Sequence, residues 1–248
     1  MVEALKVEDL SKFFGGVQAV KHVTFSVMPG ERLAIIGPNG AGKTTLFNLL
    51  NGQYKPTTGT IKLFGEDITH LPTYSRAALG QGRSFQVTRL FQSLTVLNNV
   101  LLAVQGTKPF RYNGFKSISS YSSLLDKAKE LLETMELWHL KDELVQDLGY
   151  GEQRRLEVSL SLASDPRVLF LDEPSCGLSP KECDDMITLI RRLGENVTVV
   201  MVAHDMDLVF GLAQRIIVLH YGEIIADGTC QEIQNNPRVH EIYMGAEE

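Results

Sequence analysis

A glycine-rich segment near the N-terminus has the residue types and spacing of a phosphate-binding loop. It runs from Gly37 to Thr44, after the apolar run 33–36 and before the helix-like run 45–50. Its glycines let successive backbone N–H groups turn toward one anion, and the following helix adds the positive end of its dipole. In such loops the lysine reaches the β- and γ-phosphates of a nucleotide and the hydroxyl ligates Mg²⁺. We therefore predict these roles for Lys43 and Thr44.

Two adjacent acids form a second chemical feature. Asp172 and Glu173 follow the apolar run 168–171, which predicts a buried strand that ends beside the phosphate loop. Because successive strand residues point to opposite faces, the two carboxylates cannot share one role. We assign Asp172 to the Mg²⁺ ion and Glu173 to the general base that activates an attacking water.

A glycine-bearing turn opens a helix that we expect to run from Glu152 to Ala163. The turn contains Gly149 and Gly151, and a helix N-terminus of this kind is a second potential seat for an anion. A single chain has no obvious use for two such seats on one nucleotide.

The elements that position these residues predict an α/β fold. Apolar and polar residues alternate in the N-terminal third, whereas residues 90–163 have helical periodicity, with Leu124, Ala128 and Leu132 on one apolar stripe. Short apolar runs then alternate with helical stretches, which is typical of a mostly parallel sheet. The predicted strands are 5–8, 24–27, 33–36, 60–64, 168–171, 197–202 and 215–219. Residues 106–123 are interpreted as a surface insertion.

Composition excludes several classes of protein. A formal net charge of −6 gives no overall attraction to nucleic acid or to an anionic membrane. The three cysteines contain no C-x-x-C pair and favour reduced thiols over a disulfide framework or a zinc site. No apolar run approaches the ~20 residues that span a bilayer. We expect no direct contact with nucleic acid, and a membrane role only through other subunits.

In order along the chain, the motifs resemble those of the nucleotide-binding subunits of ATP-binding cassette (ABC) transporters. The matching parts are the Walker A loop 37–45, the Q-loop residue Gln86, the signature motif 148–153, the Walker B strand 168–174, the D-loop 175–179 and the switch histidine His204. The resemblance covers essentially the whole chain. It implies one nucleotide-binding domain, 1–248, with a P-loop NTPase core, an antiparallel β subdomain on the N-terminal side and an inserted α-helical subdomain of about residues 88–163.

The resemblance also implies a head-to-tail dimer in which ATP lies between the phosphate loop of one subunit and the signature turn of the other. Gln86 would then ligate Mg²⁺ or water and sense the transport partner, and His204 would steady the attacking water near Glu173. The implied Mg²⁺ ligands are Thr44, Gln86 and Asp172. The implied nucleotide-binding residues are Phe14, Pro38, Asn39, Gly40, Ala41, Gly42, Lys43, Thr44, Thr45, Gly151 and Glu152.

Three of these positions carry open questions. Phe14 matches the aromatic residue that stacks on adenine, but a core phenylalanine beside a turn is an equally good interpretation. Gly149 replaces the usual serine of the signature motif, so a hydroxyl contact to the γ-phosphate is missing. Ser179 replaces the usual aspartate or asparagine of the D-loop.

Within the family, the likeness is greatest to the ATPases of branched-chain amino-acid uptake systems and their urea and amide relatives. The segments that carry it are 14–20, 154–157, 204–207 and the tail 227–245. The resemblance implies an ATPase, peripheral at the cytoplasmic face of the cell membrane, that powers import of branched-chain or other amino acids. Its partners would be a second ATPase subunit, identical or a sister, integral permease subunits and, indirectly, a solute-binding protein. The alternatives are a urea or amide importer, a lipopolysaccharide-type exporter, a soluble non-transport cassette and a small-molecule P-loop kinase.

Overall fold

The structure, a computed structural model, describes residues 2–84, 90–107, 122–194 and 196–244. The strands are β1 (Leu5–Phe14), β2 (Val17–Val27), β3 (Arg32–Ile36), β4 (Thr58–Leu63), β5 (Glu66–Asp67), β6 (Gln81–Arg83), β7 (Val168–Asp172), β8 (Thr198–Val202), β9 (Arg215–His220) and β10 (Glu223–Gly228). The helices are α1 (Lys43–Leu50), α2 (Thr73–Ala78), α3 (Val96–Gly106), α4 (Ser122–Thr134), α5 (Tyr150–Ser161), α6 (Pro180–Arg191), α7 (Met206–Leu212), α8 (Cys230–Gln234) and α9 (Pro237–Met244). Within these ranges, no helix combines the length and apolar character needed to cross a membrane.

The central sheet has six strands in the order β10-β9-β3-β8-β7-β6. The pairs from β9 to β6 are parallel, and only β10 pairs antiparallel with its neighbour. The predicted mostly parallel sheet is therefore confirmed. Because β3 and β7 run in the same direction, the phosphate loop after β3 and the acids at the end of β7 emerge at one edge of the sheet.

A second, antiparallel sheet has the order β2-β1-β4-β5 and belongs to the N-terminal part of the chain. Strands β1 and β2 are longer than the alternation predicted, because irregularities in their pairing interrupt the period of two. Asp9 and His22 have left-handed backbones at these irregularities, with φ of 51° and 47°. Their side chains meet across the strands, His22 Nδ1 lying 2.6 Å from Asp9 Oδ1.

Between β6 and β7, the described residues form helices α3, α4 and α5. The predicted stripe Leu124, Ala128 and Leu132 is buried on α4, so the helical periodicity identified the core-facing side correctly. Helix α5 begins at Tyr150 rather than at Glu152, because Gly149 already acts as its N-cap with an extended backbone. The limits 88–163 of a helical subdomain stay a prediction, and most of the insertion at 106–123 lies outside the described residues.

The central sheet separates two apolar clusters. Alternate residues of one strand contribute to different clusters: Leu33 and Ile35 pack with α1 and the antiparallel sheet, whereas Ala34 and Ile36 pack with the helices on the other face. This alternation follows from the period of two along a strand. The strands that carry the site are thus buried on both faces, which is why β7 and β8 read as continuous apolar runs.

A buried arginine holds the C-terminal end of α1. Arg76 on α2 is 1% exposed, and its guanidinium donates to the backbone carbonyls of Leu49, Leu50, Thr69 and Leu71. Burial lowers the pKa of Arg76 to about 10. The last carbonyls of a helix lack partners within the helix and carry its negative partial charge, so a cation there stabilises it. The helix that begins at the phosphate loop is therefore fixed at its far end.

Replacing Arg76 by methionine tests this role. We expect Arg76→Met to lower the free energy of unfolding by about 3 kcal/mol, because buried carbonyls lose their donor. Urea unfolding measures the loss as a lower midpoint with an unchanged slope. The matched control is Arg238→Met, at an exposed arginine of α9, which should leave the midpoint in place. Equal midpoints for the two variants would contradict the role given to Arg76.

Candidate functional site

The phosphate loop connects β3 to α1 with backbone packed tightly on its outer side. A Cβ atom on Gly37 would lie 2.1 Å from the carbonyl oxygen of Leu219, and one on Gly42 would lie 2.4 Å from that of Ala19. Gly42 also has a φ of 100°, in a region that favours glycine. These close approaches of backbone from β9 and β2 hold the loop in one conformation where it leads into α1.

The side chain of Lys43 folds back onto the phosphate loop and hydrogen-bonds to its backbone. Its Nζ donates to the carbonyl oxygens of Gly37 at 2.6 Å and Pro38 at 3.0 Å. Burial lowers the pKa of Lys43, and the negative charge of Glu173 opposes that shift. Gly40, with a φ of 78°, has open space where a Cβ would be. A cation beside this opening, in a glycine-rich loop that leads into the start of a helix, fits the phosphates of a nucleotide.

Asp172 ends β7 as a buried acid, with 5% of the residue exposed. Its backbone N–H donates to Ser84 Oγ at 3.2 Å, and Arg83 Nη2 lies 3.7 Å from its Oδ2. Burial raises the pKa of Asp172, and the Arg83 charge opposes that rise. Arg83 also donates to Asn48 Oδ1 on α1 at 3.2 Å. This arginine therefore links the acid to the helix that carries the phosphate loop.

The residues of the site fit an Mg²⁺ ion that arrives with the nucleotide. In the described ranges, no group of three or more His, Cys, Asp or Glu side chains could hold a metal by itself. Mg²⁺ commonly uses one or two carboxylates together with substrate phosphates and water. Asp172 supplies such a carboxylate, and Thr44 is exposed in the first turn of α1. Gln86, the third predicted ligand, lies outside the described residues.

Glu173 and His204 are brought together at the ends of neighbouring strands. Glu173 leaves β7 with a left-handed backbone, φ 48°, and its N–H donates to the carbonyl of Val202 at 2.9 Å. Its Oε1 lies 3.4 Å from Nδ1 of His204. The two side chains are 24% and 60% exposed, so water has access to them. The turn at Glu173, rather than strand alternation alone, separates its direction from that of Asp172.

The signature turn does not line the same cavity as the phosphate loop of its own chain. Gly151 and Glu152 line a cavity of about 270 Å³, whereas Pro38 to Ala41 line another. Tyr150 donates from its hydroxyl to the carbonyl of Cys176 at 3.1 Å, which joins the signature turn to the D-loop segment. The structure thus keeps the two predicted anion seats in separate cavities.

Phe14 is exposed at the end of β1, with 44% of the residue accessible. The interpretation of Phe14 as a core residue is therefore wrong, and stacking on adenine stays a prediction. Its ring meets Tyr54 edge-on, with centroids 5.4 Å apart, and Lys12 Nζ lies 5.1 Å from the ring centre. Sequence reasoning missed Tyr54 and Arg83, since their contacts join segments far apart along the chain.

Two family models match this sequence. The model described as ABC transporter matches residues 20–176, which include the phosphate loop and the two acids at the end of β7. The model described as branched-chain amino acid ATP-binding cassette transporter matches residues 223–248.

Similar proteins extend over nearly the whole chain. The high-affinity branched-chain amino acid transport ATP-binding protein LivG of Escherichia coli (strain K12) is 42% identical, covering 97% of both chains. The corresponding protein BraF of Pseudomonas aeruginosa is 41% identical with the same coverage. A crystal structure of the ADP conformation of an ATP-binding cassette of an ABC transporter has a TM-score of 0.88 and 30% identity, covering 99% of this chain and all of its own. A dimeric cassette bound to ADP and Pi has a TM-score of 0.75 and 28% identity, covering 91% and 98%.

Removing the exposed ring of Phe14 tests its predicted contact with adenine. We expect Phe14→Ala to weaken MgATP binding about three- to tenfold, because one aromatic stacking partner is lost. Isothermal titration calorimetry measures the dissociation constant. Phe13→Ala is the matched control, since Phe13 is similarly exposed and points to the opposite face of β1. Equal dissociation constants for the two variants would rule out a specific contact at Phe14.

Proposed function

Because this chain belongs to the ABC transporter family, we propose that it is the ATP-hydrolysing subunit of a membrane importer of branched-chain or other amino acids. The observation that carries the choice of substrate class is the match of residues 223–248 to the branched-chain amino acid model. Similarity to LivG and BraF over 97% of the chain supports the same choice.

The geometry supports hydrolysis of a nucleotide bound at the phosphate loop. Lys43 and the loop amides would hold the phosphates, and Thr44 with Asp172 would hold Mg²⁺, which neutralises charge on the phosphates when bound. Glu173 lies at the same edge of the sheet, and its charge acts on Lys43. We assign Glu173 to deprotonate the attacking water and His204 to orient it, since their side chains lie 3.4 Å apart and face solvent.

A second copy of the family fold would complete the site. The separate cavity at Gly151 and Glu152 is unused by the phosphate loop of its own chain, which is the arrangement expected if it serves the ATP of a partner in a head-to-tail dimer. A similar cassette bound to ADP and Pi is dimeric. Gly149 offers no hydroxyl to that ATP, so backbone N–H groups and the dipole of α5 would supply the contact. The partner is either an identical chain or a sister ATPase.

The dimer would work at the cytoplasmic face of the cell membrane, bound to integral permease subunits. The net charge of −6 gives the chain little affinity for anionic lipid, so the permease itself would hold it there, and Gln86 would sense the permease. A solute-binding protein would act through the permease. ATP would favour the closed dimer and ADP the open one, and this difference in affinity would drive the permease between its conformations.

The general-base assignment is tested by Glu173→Gln. We expect MgATP affinity to persist while hydrolysis falls about 10²- to 10⁴-fold, because the water loses its proton acceptor. An ATP-dependent dimer should then accumulate. Phosphate release and analytical ultracentrifugation measure the two effects. Glu133→Gln, at an exposed position on α4, is the control and should retain full turnover. Normal turnover in Glu173→Gln would remove Glu173 from the mechanism.

The transport proposal is tested by purification of tagged Glu173→Gln protein with MgATP from detergent-solubilised membranes. Mass spectrometry should find hydrophobic permease subunits, because the trapped ATP state keeps the complex assembled. Uptake of labelled leucine should fall in cells that carry only this variant, whereas uptake of an unrelated sugar should not. Recovery of only ribosomes or soluble proteins would leave the ATPase chemistry in place and overturn the transport proposal. Unchanged leucine uptake with a permease bound would reject the substrate class.

A further inference from the structure

A carboxylate from α6 reaches the start of α5. Glu182 Oε2 accepts hydrogen bonds from the N–H of Ser179 at 2.9 Å and from its hydroxyl at 2.6 Å. The other oxygen, Oε1, lies only 2.3 Å from where a Cβ on Gly151 would be. One side chain therefore touches both the D-loop and the signature turn of the same subunit.

The charge of Glu182 is held in place by these contacts. The Ser179 hydroxyl and N–H lower the pKa of Glu182 below its usual range, and the Gly151 N–H adds to this effect. Glu182 also lines the cavity of about 270 Å³ at the start of α5, together with Glu152, Asp185 and Arg155. The N-terminus of this 12-residue helix attracts negative charge. In the single subunit, carboxylates of the chain itself supply the negative charge beside it.

Helix capping accounts for only part of this geometry. A similar capping box occurs at α8, where Glu232 accepts from the N–H of Thr229 at 2.7 Å and from its hydroxyl at 2.9 Å. Those contacts lie within one cap, between residues three positions apart in the chain. Glu182 makes the same pair of bonds and in addition reaches Gly151 on a different helix, so its position has a second consequence.

We propose that Glu182 competes with the γ-phosphate of the partner's ATP for the start of α5 and so restrains ATP-dependent pairing of the subunits. This inference rests on the proposed function, in which Gly151 faces that phosphate in the dimer. The Glu182 carboxylate lies against Gly151, and two anions cannot lie together at one helix start without strong repulsion. The carboxylate therefore has to withdraw from Gly151 when an ATP-loaded partner binds.

The competition also connects two parts of the dimer surface. Because Glu182 holds Ser179 through two hydrogen bonds, its withdrawal from Gly151 changes the environment of the D-loop in the same subunit. Binding of a phosphate at the signature turn thereby alters the D-loop of the same subunit. The restraint keeps subunits apart until a phosphate of sufficient charge displaces the carboxylate.

The test measures dimer dissociation constants in MgATP by analytical ultracentrifugation, with every variant made in the Glu173→Gln background. We expect Glu182→Gln to tighten the dimer about fivefold, the upper range for removal of one solvated charge. Glutamine retains the capping geometry at this position, so the fold and the D-loop cap are preserved. The gain should shrink at high salt, because the repulsion is screened.

Two matched variants separate the restraint from other effects. Glu232→Gln alters the equivalent capping box at α8, and Asp185→Asn removes a charge from the same cavity; both should leave the dissociation constant within about twofold of the background. The inference is overturned if Glu182→Gln does not tighten the dimer, or if Asp185→Asn tightens it equally. Absence of an ATP-dependent dimer in every variant would overturn the proposed dimer and this inference together, so the two failures are distinguishable.

Discussion

The site depends on a single short helix, α1, whose two ends need opposite partners. Its start favours an anion, and backbone from β2 and β9 shapes the preceding phosphate loop so that it can bind one. Its end needs a cation, and Arg76 supplies that charge from inside the protein. The helix is therefore fixed in position and orientation before any ligand binds, which spares the nucleotide the cost of organising the loop.

Both predicted phosphate seats already have internal partners. Lys43 is bonded to carbonyls of its own loop, and the start of α5 has the Glu182 carboxylate against it. A charged site that satisfies itself in this way remains stable while empty, since buried or constrained charges without partners are costly. In the proposed function, the nucleotide and the partner subunit would replace these existing contacts, so the change in free energy at each step would be a small difference between similar interactions.

Sequence reasoning succeeded where the signal was local. The loop 37–44, the strand before Asp172 and the stripe on α4 each depend on residues close together in the chain, and all lie on elements of the expected type. Contacts between distant segments could not be predicted this way. Arg83 to Asp172 joins residues on neighbouring strands, and the short β6 that carries Arg83 has too few residues to show a period. Helix α5 begins earlier than predicted for a different, local reason: Gly149 caps it with an extended backbone, and the side-chain pattern does not record cap geometry.

The left-handed backbone of Glu173 has a consequence for how this protein can change. A side chain in that conformation costs about 1–2 kcal/mol relative to glycine, so selection for thermal stability alone would favour glycine at this position. The same replacement would delete the carboxylate beside His204. Under the role proposed for Glu173, stability and activity are thus in direct opposition at one residue, and a thermostable descendant of this chain would have to gain its stability elsewhere.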